Sequence, residues 1–366
     1  MTHQTILYQK HLESNAHMGT FSNWQMPLYY SGVLSEHKQT RNAVAMFDTC
    51  HMGQIFVTGE NSLSLLESLV PRDLDKSQDG YCYYTYLCRE DGTILDDIII
   101  YRLSLNSFLI IVNAGTLEQD YLWIKDKAPS SVVVTNESDN WFKIDIQGPE
   151  SLTVIDEFFP GNEWENLKYF SFKKVKHNNH SFIISRTGYT GELGYEVYGP
   201  VSYAETLWQD LLEKNVTPAG LATRDLLRLE AGYPLMGQDI TPEMTPFSLG
   251  FSKFVSSRKM FIGKDALWDK KDTWLSIPFV LPKKAIARTG TSVLLENKPV
   301  GQVTSGTWSP LLQKSIGFAT IRNPHKAIEN ITLNIRNQPM IADITTTPFI
   351  KSTSIKNNIL KKRSSL

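Results

Sequence analysis

The sequence predicts a protein of the α+β class that ends in a separate all-β region. The first observation is a pair of β-rich runs, 83–88 and 94–101, on either side of Asp91-Gly92, a dipeptide that favours tight hairpin turns. The second is a change beyond residue 275 to short β-like runs that turn residues separate at regular intervals. The length of 366 residues is enough for two or three domains.

The other predicted elements follow in chain order. A third strand at 108–112 and apolar residues at helical spacing over 117–124 complete an α+β layer with the hairpin. Apolar residues at i, i+3, i+4, i+7 and i+8 predict an amphipathic helix over 203–214. After a Pro-Ala-Gly break, a second helix is predicted over 223–231 and ends at Gly232. Five later runs predict an all-β sandwich or small barrel: 277–281, 292–295, 300–305, 315–321 and 331–335.

The composition excludes several classes of protein. Apolar residues make up 41% and charged residues 20% of the chain, which is typical of a globular protein. No apolar run approaches the roughly 18 residues that span a bilayer, so we expect no membrane partner. The net charge is −1, but residues 351–366 hold five basic residues and no acidic one, which leaves 32 basic against 38 acidic residues elsewhere. We therefore expect no nucleic-acid partner and a solvated basic tail.

The cysteines and the N-terminal residues bear on the compartment. Cys50, Cys82 and Cys88 are few, odd in number and without Cys-x-x-Cys spacing, so neither a disulfide framework nor a thiolate zinc site is predicted. His51 has no neighbour at a metal-ligand spacing, which favours a structural histidine. Residues 1–10 lack the pattern of a signal peptide. We therefore expect a cytoplasmic protein with no metal.

Two adjacent acids, Asp96 and Asp97, interrupt an apolar run that is predicted to be a strand. Alternate strand residues face opposite sides, so the two acids lie on opposite faces, both of which are otherwise apolar. Burial of an ionised carboxylate is costly, and proteins accept it mostly where the acid does acid–base or charge-stabilising work. One of the pair is thus a candidate catalytic acid. The alternative, an Asp that binds turn amides at the strand entrance, stays open.

A glycine-rich loop over 186–196 is the second candidate site. Glycine at every third position indicates a tightly turned loop, and neither a P-loop nor a dinucleotide fingerprint is present. Tyr189 and Glu196 can hold a flat heterocycle by aromatic contact and by a carboxylate that accepts paired N–H groups. In the following helix, Arg224 can project into a cleft. A structural hairpin and a solvated helix face remain the alternatives.

Many motifs occur in one order along nearly the whole chain. They include Phe21-Ser22-Asn23-Trp24-Gln25-Met26-Pro27, Met46-Phe47-Asp48, His51-Met52-Gly53, Asp96-Asp97, Val112-Asn113-Ala114, Gln147-Gly148-Pro149, the 186–196 loop, Arg228-Leu229-Glu230-Ala231-Gly232 and Thr304-Ser305-Gly306-Thr307. In this order they resemble the aminomethyltransferase (T protein) family of the glycine cleavage system. A single motif would be weak evidence for the family, whereas so many motifs in the same order are a specific signal.

The resemblance implies an α+β fold of three domains in a cloverleaf around a central folate channel, with a C-terminal all-β barrel or jelly-roll-like domain. Residues 1–50 and 130–275 would form a discontinuous folate-binding domain, 51–129 an inserted α+β domain and 276–350 the C-terminal domain. The key acid of the family corresponds to Asp96. The folate cleft would be formed by Tyr84, Asn113, Tyr189, Glu196 and Arg224, with Arg288 from the C-terminal domain.

The implied reaction transfers an aminomethyl group from the lipoylated H protein to tetrahydrofolate, releases ammonia and forms methylenetetrahydrofolate. Tetrahydrofolate is then the one-carbon acceptor, no metal or nucleotide is required, and the protein is a monomer or weak dimer. Three residues depart from the usual family pattern: Cys50, Arg72 and Leu117. These departures leave open a related tetrahydrofolate-dependent demethylase that acts on a small methylated donor. A non-catalytic folate-binding assembly protein is the other alternative.

Overall fold

The computed structural model describes residues 2–282, 284–351 and 354. These residues contain eight α-helices: α1 (Tyr8–Glu13), α2 (Val33–Asn42), α3 (Ser62–Leu69), α4 (Leu117–Lys127), α5 (Ser151–Phe158), α6 (Ala204–Glu213), α7 (Leu221–Glu230) and α8 (Lys264–Asp269). None of these described helices is long and apolar enough to cross a membrane. Apart from Lys351 and Ser354, the predicted basic tail lies outside the described residues.

Twenty strands lie in the described part of the chain. They are β1 (His3–Gln4), β2 (His17–Phe21), β3 (Trp24–Tyr29), β4 (Ala45–Asp48), β5 (Gly53–Gly59), β6 (Cys82–Cys88), β7 (Ile94–Ser104), β8 (Ser107–Val112), β9 (Val132–Asn136), β10 (Trp141–Gln147), β11 (Phe172–His177), β12 (His180–Ser185), β13 (Gly194–Pro200), β14 (Thr217–Pro218), β15 (Trp274–Leu281), β16 (Ser292–Leu295), β17 (Lys298–Ser309), β18 (Lys314–Arg322), β19 (Asn330–Ile335) and β20 (Gln338–Ile344).

The described strands form three open sheets and one closed barrel. The small N-terminal sheet has the order β1-β3-β2, and a six-stranded sheet has the order β11-β12-β13-β10-β4-β14. A five-stranded sheet has the order β6-β7-β8-β5-β9, and the barrel is β15-β18-β17-β16-β19-β20. Of the sandwich and the barrel that the sequence left open, the barrel is therefore the one that forms. The mixed fold class is confirmed.

The six-stranded sheet is built from two separate stretches of the chain. Its β4 and β10 pair directly, although β5 to β9 intervene in sequence and form the other large sheet. This arrangement is what a discontinuous first domain requires. The strand β9 pairs with β5, so the five-stranded sheet reaches beyond residue 129. The domain bounds at 50, 129 and 275 stay a prediction.

One face of β10 builds the main core. Phe142, Ile144 and Ile146 are fully buried and pack with Trp164 and Trp208 under α5 and α6. Each such apolar side chain contributes about 1.5–3 kcal/mol on burial. The predicted amphipathic helix is confirmed as α6, because its apolar stripe lies in this core.

The predicted hairpin forms between β6 and β7. Gly92 has a φ of +79°, a left-handed conformation that glycine adopts without strain. The turn packs so tightly against α8 that a Cβ atom on Gly92 would lie 2.2 Å from the backbone nitrogen of Leu267. The predicted third strand and following helix are confirmed as β8 and α4.

The barrel contains one strand that the sequence did not predict. The last strand, β20, closes the barrel by pairing with β19 and β15. Pro339 lies inside it, and a proline lowers the strand signal because it cannot donate a ladder hydrogen bond. Pro339 lies near the start of the strand, opposite Asn334, and β20 still pairs with β19 there.

Candidate functional site

The two candidate acids lie on opposite sides of β7. Asp96 is fully buried, and its carboxylate accepts hydrogen bonds from the backbone N–H of Asn113 at 3.0 Å and from Asn113 Nδ2 at 2.8 Å. Asp97 is only partly buried. Its Oδ2 accepts from the Tyr84 hydroxyl at 2.9 Å, and its Oδ1 accepts from Asn113 Nδ2 at 2.8 Å. Asn113, directly after β8, therefore bridges both carboxylates.

A third carboxyl group stands behind this pair. Asp120 of α4 is fully buried in contact with Asp96. Burial, and then the charge of Asp96, raise the pKa of Asp120 to about 10, so this carboxyl is protonated at neutral pH. Sequence reasoning missed Asp120. A signal existed, because Asp120 takes a position in the apolar stripe that Leu117 and Ile124 define on α4.

The charge state of the other two acids follows from the same crowding. Burial raises the pKa of Asp96. Burial, and then the negative charge of Asp96, raise the pKa of Asp97 to about 7. Asp97 therefore exchanges its proton close to neutral pH, which is a property of acids that act in catalysis.

The face of β7 that carries Asp97 points toward the second candidate cluster. Asp97, Ile99 and Tyr101 share this face, and the Tyr101 hydroxyl donates to Glu196 Oε2 at 3.1 Å. The opposite face packs toward α4, where Asp96 meets Asp120. The sequence placed the candidate acid at Asp96. In the structure Asp97, beside Tyr84, is the more accessible of the two acids, and the role of Asp96 stays a prediction.

Glu196 lies on β13 and is buried, and both of its carboxylate oxygens accept hydrogen bonds. Its Oε2 accepts hydrogen bonds from three hydroxyl groups at 2.8 to 3.1 Å, those of Tyr101, Thr187 and Tyr198. Its Oε1 accepts from Lys143 Nζ at 3.1 Å. A carboxylate oxygen carries two lone pairs, so Oε1 retains capacity for one ligand N–H group.

The glycine loop is held against Gln147. A Cβ atom on Gly188 or Gly194 would lie 2.1 or 2.2 Å from the Gln147 side chain, and Gly191 has a φ of +79°. The left-handed φ favours glycine at 191, whereas a side chain at 188 or 194 would have to displace Gln147. The tight turn fixes Tyr189, whose hydroxyl donates to the Pro234 carbonyl at 2.5 Å.

Arg224 and Tyr189 lie against each other beside this loop. The Arg224 guanidinium stands 5.0 Å from the centre of the Tyr189 ring, which is a cation–π distance. Arg224 Nη1 also donates to Asp145 Oδ2 at 2.6 Å. The Asp97 carboxylate is near enough to be one cause of the raised pKa of Tyr189, after burial and the opposing charge of Arg228. The two candidate clusters are thus neighbours.

Lys143 and Asp145 are the residues of this region that sequence reasoning missed. They alternate on β10 with Phe142, Ile144 and Ile146, and such alternation is ordinarily typical of a solvated face. Here both are buried, and Lys143 Nζ lies 2.5 Å from Asp145 Oδ1. Burial alone would raise the pKa of Asp145, but the charges of Lys143 and Arg224 outweigh it and lower this pKa.

Two other predicted residues lie apart from these clusters. Arg288 is exposed in the loop between β15 and β16. His51 is buried, and burial lowers its pKa to about 4, so this histidine is neutral at neutral pH. Among the described residues no group of three or more His, Cys, Asp or Glu side chains could hold a metal ion.

Comparisons with known proteins agree with this architecture. The GCVT N-terminal domain family matches residues 7–259, and the glycine cleavage T-protein C-terminal barrel domain family matches residues 276–351. An aminomethyltransferase of Thermoanaerobacter pseudethanolicus is 38% identical over 95% of this chain and 97% of its own length. One from Halothermothrix orenii is 37% identical over 95% of this chain and 99% of its own length.

A solved structure shares the whole fold. The glycine cleavage system aminomethyltransferase T of Bartonella henselae superimposes with a TM-score of 0.90 at 29% identity, over 97% of this chain and 100% of that one. Fold and matches define the class, a transferase built from a GCVT N-terminal domain and a C-terminal barrel. The chain belongs to the glycine cleavage T-protein family, and its function is that of a tetrahydrofolate-dependent aminomethyltransferase.

Proposed function

We propose that the chain takes the aminomethyl group from the lipoyl arm of the H protein and transfers it to tetrahydrofolate between the Asp97 cluster and the Glu196 cluster. The observation that carries this proposal is the partly exposed carboxylate of Asp97, held by Tyr84 and Asn113 on the strand face that leads to Glu196. Positive charge develops on the methylene carbon as ammonia leaves. A carboxylate that is already oriented in an enclosed site stabilises such charge.

Within the acid pair we assign the reacting position to Asp97 and a supporting role to Asp96. Both acids hold the same Asn113 side chain, so Asp96 fixes the amide that in turn orients Asp97. The negative charge of Asp96 also helps to raise the pKa of Asp97. Asp97 can therefore receive or release a proton during transfer as well as stabilise charge.

The proposed folate site uses the second cluster. Glu196 accepts ring or amino N–H groups at its remaining lone pair, Tyr189 covers one face of the heterocycle, and Arg224 binds polar atoms at its rim. Tyr84 and Asn113 hold Asp97 at the side of the first cluster. Arg288 is exposed in the loop between β15 and β16, so it would bind the ligand only from outside the cleft.

The proposal includes two partners and a setting. Tetrahydrofolate and the lipoylated H protein are the partners, with no resident metal or nucleotide cofactor, no nucleic acid and no membrane. The setting is a reducing cytoplasm, which the three free cysteines Cys50, Cys82 and Cys88 support. The protein acts as a monomer or weak dimer, which sedimentation of the purified chain measures.

The decisive experiment offers different donors to purified protein with tetrahydrofolate. Aminomethyl-loaded H protein is compared with dimethylglycine and dimethylsulfoniopropionate. We expect ammonia and methylenetetrahydrofolate with the loaded H protein alone, because its arm must deliver the group into the site. Methyltetrahydrofolate formed from a small donor without ammonia would contradict the proposal and assign the chain to the demethylases.

A matched variant keeps this experiment specific to the site. Asp97→Asn retains the shape of the side chain and removes its charge, so it should bind tetrahydrofolate and lose product formation from the loaded H protein. Loss of tetrahydrofolate binding in Asp97→Asn would instead indicate a damaged site rather than an assigned acid.

A further inference from the structure

Four charged side chains of alternating sign form a line through the candidate folate site. Glu196 Oε1 lies 3.1 Å from Lys143 Nζ, which lies 2.5 Å from Asp145 Oδ1, and Asp145 Oδ2 lies 2.6 Å from Arg224 Nη1. The four side chains are 5%, 1%, 0% and 12% exposed in that order. The two end members are the proposed ligand-binding groups, and the two inner members are shielded from any ligand.

We propose that Lys143 and Asp145 are positioning residues that couple Glu196 to Arg224, so that the two ligand-binding groups act as one unit of zero net charge. The inference rests on the proposed function, since it takes these two groups as the folate contacts. It adds that neither contact is independent of the other. Lys143 and Asp145 touch no ligand and act through their neighbours.

The physical argument is one of charge balance in a buried place. Removal of one member of a buried charge pair leaves the other uncompensated, which is far more harmful than loss of the pair together. Without Lys143, two carboxylates share the single cation Arg224. Without the Asp145 charge, two cations face the single carboxylate Glu196. Loss of both inner charges leaves Glu196 and Arg224 balanced.

Hydrogen bonding supports the same expectation for the substitutions Lys143→Met and Asp145→Asn. In Asp145→Asn alone, the new amide N–H₂ group would face either Lys143 Nζ or Arg224, both of which are donors. When Lys143 is also replaced by Met, the amide oxygen can serve Arg224. The amide N–H₂ group can then donate to Thr49 Oγ1, which lies 3.0 Å from Asp145 Oδ1.

The test is a double-mutant cycle on tetrahydrofolate affinity, measured by calorimetry on the full chain. Lys143→Met and Asp145→Asn should each weaken binding at least about tenfold, because each leaves an unbalanced charge beside the ligand. The double variant should bind better than either single variant, within about threefold of the parent. Lys176→Met, at an exposed position of β11, is the control for loss of one positive charge and should bind as the parent does.

Two results would overturn the inference. One is a double variant whose loss equals the product of the two single losses, and the other is parent-like binding in both single variants. If Lys143→Met fails to fold, Lys143→Gln replaces it in the cycle, since it keeps a donor toward Glu196 without the charge. A parent chain that binds no tetrahydrofolate would overturn the proposed function, whereas a binding parent with an additive cycle overturns only the coupling.

Discussion

At the scale of single residues, substitution of Asp97 should change turnover, whereas substitution of Asp96 should change stability. Asp97→Asn removes the charge from the partly exposed position, so turnover should fall at least about a hundredfold, which corresponds to roughly 3 kcal/mol of transition-state stabilisation. Asp96→Asn should act mainly on stability, because Asp96 is buried behind Asn113. Single-turnover kinetics and thermal melting of both variants check this. A parent-like rate in Asp97→Asn would refute the assignment.

The same acids predict a rise of activity with pH. The pKa of Asp97 is raised to about 7 by burial and by Asp96, so its ionised form appears as the pH increases through about 7. If the ionised form stabilises the developing charge, kcat/KM for tetrahydrofolate should increase between about pH 6 and pH 8. Asp97→Asn should lose this dependence. A flat profile for the parent would mean that Asp97 does not titrate during turnover.

Asp120 offers a stability prediction whose sign can be worked out. Its folded pKa of about 10 lies above the ordinary value of 3.8, so the folded state holds an extra proton between these two pH values. Stability contributed by this position therefore falls as the pH rises across that window. Asp120→Asn is neutral throughout and can donate to Asp96. It should melt above the parent at pH 8, and the difference should shrink toward pH 4.

At the scale of elements, the turn of the β6–β7 hairpin gives a sharp comparison between two glycines. Gly92→Ala adds a Cβ atom 2.2 Å from the Leu267 backbone, in addition to a strained positive φ. Gly161→Ala has a similar φ of +77° but meets nothing within 4 Å. We expect the control to cost about 1 kcal/mol and Gly92→Ala at least about twice as much. Chemical denaturation measures both, and equal costs would mean that the hairpin does not depend on α8.

Alternation along strands explains how far the sequence could lead. It predicted the β6–β7 hairpin and the opposite faces of Asp96 and Asp97, since both depend only on neighbours in sequence. It could not show that α4 covers the Asp96 face, because that is a packing fact between separate elements. Lys143 and Asp145 were missed for the same reason. Their charge partners are Glu196 of β13 and Arg224 of α7, which lie far along the chain.

The motif-based resemblance supplied what local pattern could not. Tyr189, Glu196 and Arg224 were single candidates with structural alternatives until their order along the chain was compared with a family. The structure then brings Arg224 over the ring of Tyr189. Through Tyr101 it also connects Glu196 to β7, the strand that carries Asp96 and Asp97. Arg288 is the exception among them. It lies in a loop, and the position of a loop relative to the cleft cannot be predicted from sequence repeats or periodicity.

At the scale of the whole molecule, α7 connects the barrel to α2. Glu230 at the end of α7 accepts hydrogen bonds from His37 at 2.7 Å and Arg41 at 2.7 Å, and from Ser309 of β17 at 2.6 Å. Arg228 of the same helix donates to Ser305 at 2.8 Å. Two polar residues of α7, Arg228 and Glu230, therefore hold the barrel against this helix.

Glu230→Ala should lower the free energy of unfolding by more than the loss of one hydrogen bond would. It leaves the buried Arg41 short of one carboxylate, at a cost of about 3 kcal/mol, whereas Ser309→Ala removes one neutral donor at about 1 kcal/mol. Burial would raise the pKa of Glu230, but His37 and Arg41 outweigh burial and lower this pKa. The stabilisation by ionised Glu230 is therefore present above about pH 4.5 and is lost as the pH falls further. Denaturation at pH 7 and pH 4 measures both variants. Equal costs for the two variants at pH 7, or a Glu230→Ala cost that does not shrink at pH 4, would show that the barrel docks without this ion pair.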